Sequence, residues 1–183
     1  FFNYNFGPTW WLKKDISRPY KVLEISNEIN KTKLEREVLE IAKFKLPISK
    51  NWYGYSLKEK SELPLIDVNI FTGELKKIID LVGYKSIIDI SMMYLKPKSS
   101  IQLHVDDHLR RKAWPYIAGC KKFYWTLGDT ENVYFKFYKA GILPIENPLL
   151  INSGMHVHSV VNDSDNLRPT LMIYGDLDLD QFY

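Results

Sequence analysis

The sequence predicts a mainly β fold, an antiparallel barrel or jelly roll carrying an N-terminal helical layer. Three observations point there. Beyond residue 85 the chain breaks into short alternating runs at 86–95, 100–106, 121–127, 132–138, 148–152, 156–162 and 168–175. Turn formers separate them: Lys96-Pro97-Lys98-Ser99, Gly128-Asp129, Lys139-Ala140-Gly141, Asn152-Ser153-Gly154, and the stretch from Asn162 to Asn166. Two earlier stretches instead repeat their apolar residues at helical spacing. Many short strands at regular spacing are the pattern of a closed or two-layered β structure.

Taken in order, residues 1 to about 28 are rich in aromatics (Phe1, Phe2, Tyr4, Phe6, Trp10, Trp11) without a clear period, and read as an extended wrapping segment. Thr32-Lys33-Leu34-Glu35 fits a capping box, and Leu34, Val38, Ile41 and Ala42 continue a helix that ends before Pro47. In the second helix Thr72 is the cap, Leu75, Ile78, Ile79 and Val82 form the apolar stripe, and Gly83 is the exit. The chain thus reads as a single domain, 1–183, with an extended and helical layer at 1–85 and a β core at 86–176.

Composition excludes several classes. The chain has 183 residues, 45% hydrophobic and 26% charged, which is globular composition rather than that of a disordered, collagen-like or coiled-coil chain. No apolar run approaches the ~18 residues of a membrane helix. The net charge of +3, from 25 Lys+Arg against 22 Asp+Glu, is too small and scattered to indicate a nucleic-acid partner. Cys120 is the single cysteine, so no internal disulfide forms and a reducing compartment fits. With no signal-peptide pattern after Phe1, the expectation is a soluble, cytoplasmic domain with no membrane partner.

All four histidines, His104, His108, His156 and His158, fall in two short stretches. In the run from Ile101 to Asp106, strand alternation puts Ile101, Leu103 and Val105 on one face and Gln102, His104 and Asp106 on the other. An imidazole and a carboxylate two residues apart can bind one metal ion. A histidine from a distant strand would complete a 2-His-1-carboxylate triad, the arrangement that suits non-haem Fe(II). His156 and His158 share one strand face, so either fits. The turn Asp163-Ser164-Asp165-Asn166 then leads into Leu167-Arg168-Pro169-Thr170, which reads as a hairpin setting Arg168 nearly opposite His158. Arginine is the natural partner of a carboxylate, because its fork makes parallel charge-assisted bonds. Thr170 faces the same way and adds a hydroxyl.

His104-x-Asp106, His158, then Arg168 ten residues later with Thr170, resembles the Fe(II)/2-oxoglutarate-dependent oxygenases. Within them it most resembles the aspartyl/asparaginyl β-hydroxylase family, which includes bacterial hydroxylases of free proline. The resemblance covers about residues 92–176. Leu95-Lys96-Pro97 through His104 is similar to the family's turn and metal-binding strand, with Lys98 where glycine is usual. Leu149 to Val160 is similar to the strand bearing the second histidine; in that register His158 takes the ligand place. Lys122-Phe123-Tyr124 is similar to a strand carrying Arg-x-His near the cosubstrate, with Lys122 and Tyr124 at those positions. Asp106 is kept, as in the bacterial small-molecule members.

The resemblance implies a double-stranded β-helix, cupin-like core that uses Fe(II), 2-oxoglutarate and O2 to hydroxylate an amino acid or amino-acid side chain (Asp, Asn or Pro-like). The metal ligands would be His104, Asp106 and His158. Arg168 and Thr170 would hold the far carboxylate of 2-oxoglutarate. Phe123, Trp125, Phe135 and Phe137 are candidate walls for a dry site. His108 is a candidate substrate contact. Arg110-Arg111-Lys112, with Trp114 and Tyr116, reads as a solvated loop or an acid-clamping lid. Two rivals stand beside this reading: the same cofactors acting on an alkylated nucleobase, which the near-neutral charge disfavours, and a cupin-like metal-containing small-molecule binding protein without oxygenase activity. Arg168 discriminates, since a structural metal needs no buried carboxylate partner.

Overall fold

The computed structural model describes residues 20–58, 65–104, 121–138, 141–151 and 156–177. Among them lie eleven strands: β1 (Tyr20–Val22), β2 (Phe44–Lys45), β3 (Trp52–Ser56), β4 (Ser86–Leu95), β5 (Ser99–His104), β6 (Lys121–Thr126), β7 (Val133–Phe137), β8 (Gly141–Pro144), β9 (Leu149–Ile151), β10 (His158–Asn162) and β11 (Arg168–Asp176). Two helices, α1 (Lys31–Ile41) and α2 (Gly73–Val82), precede most of them. The strands make two antiparallel sheets, one of seven in the order β1-β9-β6-β11-β4-β3-β2 and one of four in the order β5-β10-β7-β8. This is the jelly roll that the alternating runs predict.

Alternation decides which layer each residue joins. On β11, Arg168, Thr170, Met172 and Tyr174 point between the sheets, while Leu171 and Ile173 point outward under the helices. On β6, Tyr124 and Thr126 point inward, and Phe123, Trp125 and Leu127 outward. The inner layer is closed by Met93 and Leu95 of β4, Val133, Phe135 and Phe137 of β7, and Val160 of β10. The outer layer packs Leu34 and Val38 of α1 and Leu75, Ile78, Ile79 and Val82 of α2 against Ile90, Met92 and Tyr94 of β4. Each such buried aliphatic contributes roughly 1.5–3 kcal/mol.

The two helices cap each other. At the start of α1, Asn30 Oδ1 accepts from Lys33 N at 3.0 Å, so Asn30 and not Thr32 is the cap. The reason is tertiary: Glu74 of α2 accepts the backbone N–H of Asn30 at 3.1 Å, which holds the chain non-helical there. Reciprocally, Glu37 of α1 accepts Leu75 N at 3.1 Å in the first turn of α2. Thr72, the predicted cap, occupies the cap position but makes no side-chain capping bond. Gly73 has φ +67°, and a Cβ there would meet the Glu37 carboxylate at 2.1 Å. Lys77, 2.9 Å from Glu74, and the Asn30 N–H hold the Glu74 carboxyl below its ordinary pKa.

Several expectations need correction. The segment before residue 86 is not only extended and helical, because β1, β2 and β3 add three strands to the large sheet. Lys139 and Ala140 of the expected Lys139-Ala140-Gly141 turn lie outside the described residues; Gly141, at φ +88°, begins β8, which pairs antiparallel with β7. The strands β10 and β11 do not form a hairpin. They lie in opposite sheets, β10 paired to β5 and β7, β11 to β4 and β6. Asn162 makes the crossing possible. Its buried Nδ2 donates to the carbonyls of Leu95, Lys96 and Asn166 at 3.1, 3.0 and 2.8 Å, and its Oδ1 accepts from Ser164 Oγ at 2.6 Å. The turn chemistry is therefore real, but the chain folds across the barrel rather than back along one sheet. Residues 1–19 of the expected wrapping segment lie outside the described residues. No helix among the described residues is long and apolar enough to cross a membrane.

Candidate active site between the two sheets

His104 ends β5 and His158 begins β10, and the register pairs them directly. The pairing also joins Ile101 to Val160, so three steps on β5 face two on β10. This bulge overturns the simple alternation expected for the strand. It turns Ile101 and His104 to the same inner side and leaves Leu103 exposed. The two rings lie 4.4 Å apart between centroids and tilted by 50°. His158 is fully buried and stacks on Phe135 at 5.3 Å.

Both imidazoles are held the same way. His104 Nδ1 lies 2.7 Å from the carbonyl of Gln102, and His158 Nδ1 lies 2.9 Å from that of His156. A carbonyl only accepts, so each Nδ1 carries a proton, and the tautomer this selects for a neutral imidazole has its lone pair on Nε2. Two neighbouring Nε2 donors with anchored rings form a donor set suited to a transition metal such as Fe(II). His156 therefore enters through its backbone, while the ring facing His104 belongs to His158. Asp106, the expected carboxylate ligand, lies outside the described residues. Among the described residues no group of three His, Cys, Asp or Glu side chains converges.

Across the interior stands Arg168, the first residue of β11 and 1% exposed. Its Nε and Nη2 donate to Thr126 Oγ1 at 3.1 and 3.0 Å, Nη2 donates to Tyr124 Oη at 2.5 Å, and Nη1 reaches the Val161 carbonyl of the opposite sheet at 3.4 Å. Its guanidinium carbon lies 5.5 Å from the Tyr124 ring centroid. Burial lowers its pKa, and the Tyr124 hydroxyl works against that shift. No carboxylate among the described residues forms an ion pair with it. Beside it Thr170 Oγ1 is buried without a hydrogen-bond partner among the described residues. A buried cation without an acidic partner among the described residues, next to a hydroxyl with none there, is chemistry that suits an anion.

Tyr124 links the two halves, since its ring meets Phe135 edge-on at 5.0 Å and Phe135 stacks on His158. Lys122, also buried, lies over the Tyr124 and Tyr174 rings at 6.0 and 5.7 Å. Of the four candidate wall aromatics, Phe135 and Phe137 face the site. Phe123 and Trp125 point outward into the helical layer, as alternation on β6 requires. His108, Arg110, Arg111, Lys112, Trp114, Tyr116 and Cys120 lie outside the described residues. Sequence reasoning missed Thr126, an unremarkable strand threonine whose only signal was its place two residues after Tyr124.

No protein-family model matches the chain, and no curated protein sequence matches it. Solved structures do. An oxidoreductase of the 2OG-Fe(II) oxygenase family from Burkholderia pseudomallei superposes with a TM-score of 0.54 at 14% identity, covering 85% of this chain and 83% of that one. The non-heme α-ketoglutarate-dependent carbocyclase SnoK from nogalamycin biosynthesis gives 0.56 at 13% identity, covering 88% and 81%. The fold is the one these oxygenases use. At such identities the likeness is one of fold alone.

Proposed function

We propose that the protein is an Fe(II)- and 2-oxoglutarate-dependent dioxygenase that hydroxylates an amino acid or an amino-acid side chain. The observation that carries this reading is Arg168, a buried guanidinium without an acidic partner among the described residues, in the same interior as two facing histidines. His104 and His158 would hold the metal through Nε2, with Asp106 as the third ligand. Bound together, ferrous iron, 2-oxoglutarate and O2 supply an oxidant that hydroxylates an unactivated C–H bond and leave succinate and carbon dioxide.

The protein's part is to bind, orient and exclude water. Arg168 would neutralise the far carboxylate of 2-oxoglutarate, and Thr170 would donate its hydroxyl to the same group. Tyr124, accepting from Arg168, keeps its own O–H to offer as a further donor. Lys122, the other buried cation of this face, is a second candidate for a cosubstrate oxygen. Phe135 and Phe137 keep water from the His158 ring. A merely structural metal would give the Thr170 hydroxyl beside Arg168 no ligand to meet. The substrate class follows the sequence resemblance.

The test is anaerobic titration of Fe(II)-loaded protein with 2-oxoglutarate. A charge-transfer absorption that depends on 2-oxoglutarate is expected, and admitting air should release succinate, faster with the right amino acid or peptide. Iron binding without any 2-oxoglutarate-dependent band would overturn the proposal.

A further inference from the structure

Thr126 and Thr170 form a cross-strand pair, β6 against β11, with both side chains in the interior. Their hydroxyls have different surroundings. Thr170 Oγ1 has no partner among the described residues, whereas Thr126 Oγ1 accepts from both Nε and Nη2 of Arg168 and so spans one edge of the guanidinium fork. The second hydrogen on Nη2 goes to Tyr124, and one on Nη1 goes to Val161. A guanidinium carries five N–H groups. Among the described residues these bonds engage four, and the remaining one is on Nη1.

We propose that Thr126 is a positioning residue for the cosubstrate carboxylate. By spanning the Nε/Nη2 edge it turns Arg168 so that the carboxylate meets Nη1 together with the Tyr124 and Thr170 hydroxyls, and not the side of the fork. The inference rests on the 2-oxoglutarate reading. Its physical basis is the freedom of an arginine, whose four side-chain torsions are costly to fix. Thr126 is fully buried and β-branched, so its own rotamer is restricted, and a stiff acceptor holding two donors sets the plane of the fork. The neighbouring threonines thus divide two tasks: Thr126 aims the cation, and Thr170 receives the anion beside it.

The experiment is calorimetric titration of Mn(II)-loaded protein with two ligands, 2-oxoglutarate and 2-oxobutanoate. They share the keto-acid head, and only the first has a far carboxylate. Thr126→Val, which keeps the shape and removes the acceptor, is expected to weaken 2-oxoglutarate binding about tenfold or more. Binding of 2-oxobutanoate should stay within about twofold, because only the head is read. Thr126→Ser restores the oxygen and should return 2-oxoglutarate binding to within about threefold of wild type. A Thr126→Val protein that binds 2-oxoglutarate like wild type overturns the inference. So does equal weakening of both ligands, or a Ser variant as weak as the Val variant. Wild-type protein that does not prefer 2-oxoglutarate over 2-oxobutanoate would instead bring down the Arg168 carboxylate site itself.

Discussion

Replacing Arg168 by methionine separates what this residue does for the ligand from what it does for the fold. Methionine keeps a long, flexible side chain in a position 1% exposed and removes the charge with its four hydrogen bonds. Losing one member of a buried charge pair costs about 2–5 kcal/mol of binding. At 1.4 kcal/mol per tenfold, 2-oxoglutarate affinity should fall between about thirtyfold and a few thousandfold. Stability should respond otherwise. The fold buries this cation against its preference, as the lowered pKa records, so removing it relieves a desolvation cost. Against that, the Thr126 and Tyr124 hydroxyls and the Val161 carbonyl lose a charged donor, at about 1–3 kcal/mol each when nothing replaces it. Partial cancellation predicts a change in unfolding free energy within about 2 kcal/mol. Calorimetric titration and urea unfolding of the same preparation measure both. An unchanged affinity, or a loss of stability well beyond that range with affinity per folded molecule intact, would show that Arg168 is a structural post.

Three further outcomes are expected. His158→Ala should abolish tight Fe(II) binding, whereas His156→Ala should retain it, because His156 contributes a backbone carbonyl; anaerobic iron titration checks this, and the reverse pattern would exchange their roles. Asn162→Ala removes a buried side chain bonded to three carbonyls and should cost about 2–4 kcal/mol in chemical unfolding, with β10 and β11 losing their relative placement. Asp89 is held above the ordinary carboxylate pKa by burial, despite bonds from Ser56 and Ser91. A carboxyl whose pKa rises on folding stabilises the protein fully below its unfolded pKa and loses that contribution as pH climbs through the folded value. Melting temperatures of Asp89→Asn relative to wild type should therefore rise with pH from the acid range towards neutrality, and a flat difference would contradict the assignment.

Much of this architecture was legible because alternation is a strong signal where one face is buried. The predicted runs at 86–95, 121–127 and 168–175 coincide with β4, β6 and β11 to within a residue at either end. The stripe of α2 was equally plain, as was its glycine exit, where Gly83 adopts φ +79°. What stayed hidden was tertiary. Turn residues announce that a chain reverses, not whether the next strand joins the same sheet, so the path from β10 to β11 read as a hairpin. The bulge in β5 carries no glycine to betray it. Asn30 and Thr32 are both good caps, and the choice between them fell to Glu74, more than forty residues away. At the site, the histidines and Arg168 stood out by residue type and spacing. Thr126 did not, because its importance comes entirely from the side chain lying against it.

The way the two imidazoles are secured has an evolutionary implication. Each ring is tethered to a carbonyl two residues back along the chain, so part of its aim is written into a tripeptide. The donors' aim then depends less on the size and polarity of the side chains around them. A scaffold of this kind can change what it accepts while keeping what it does.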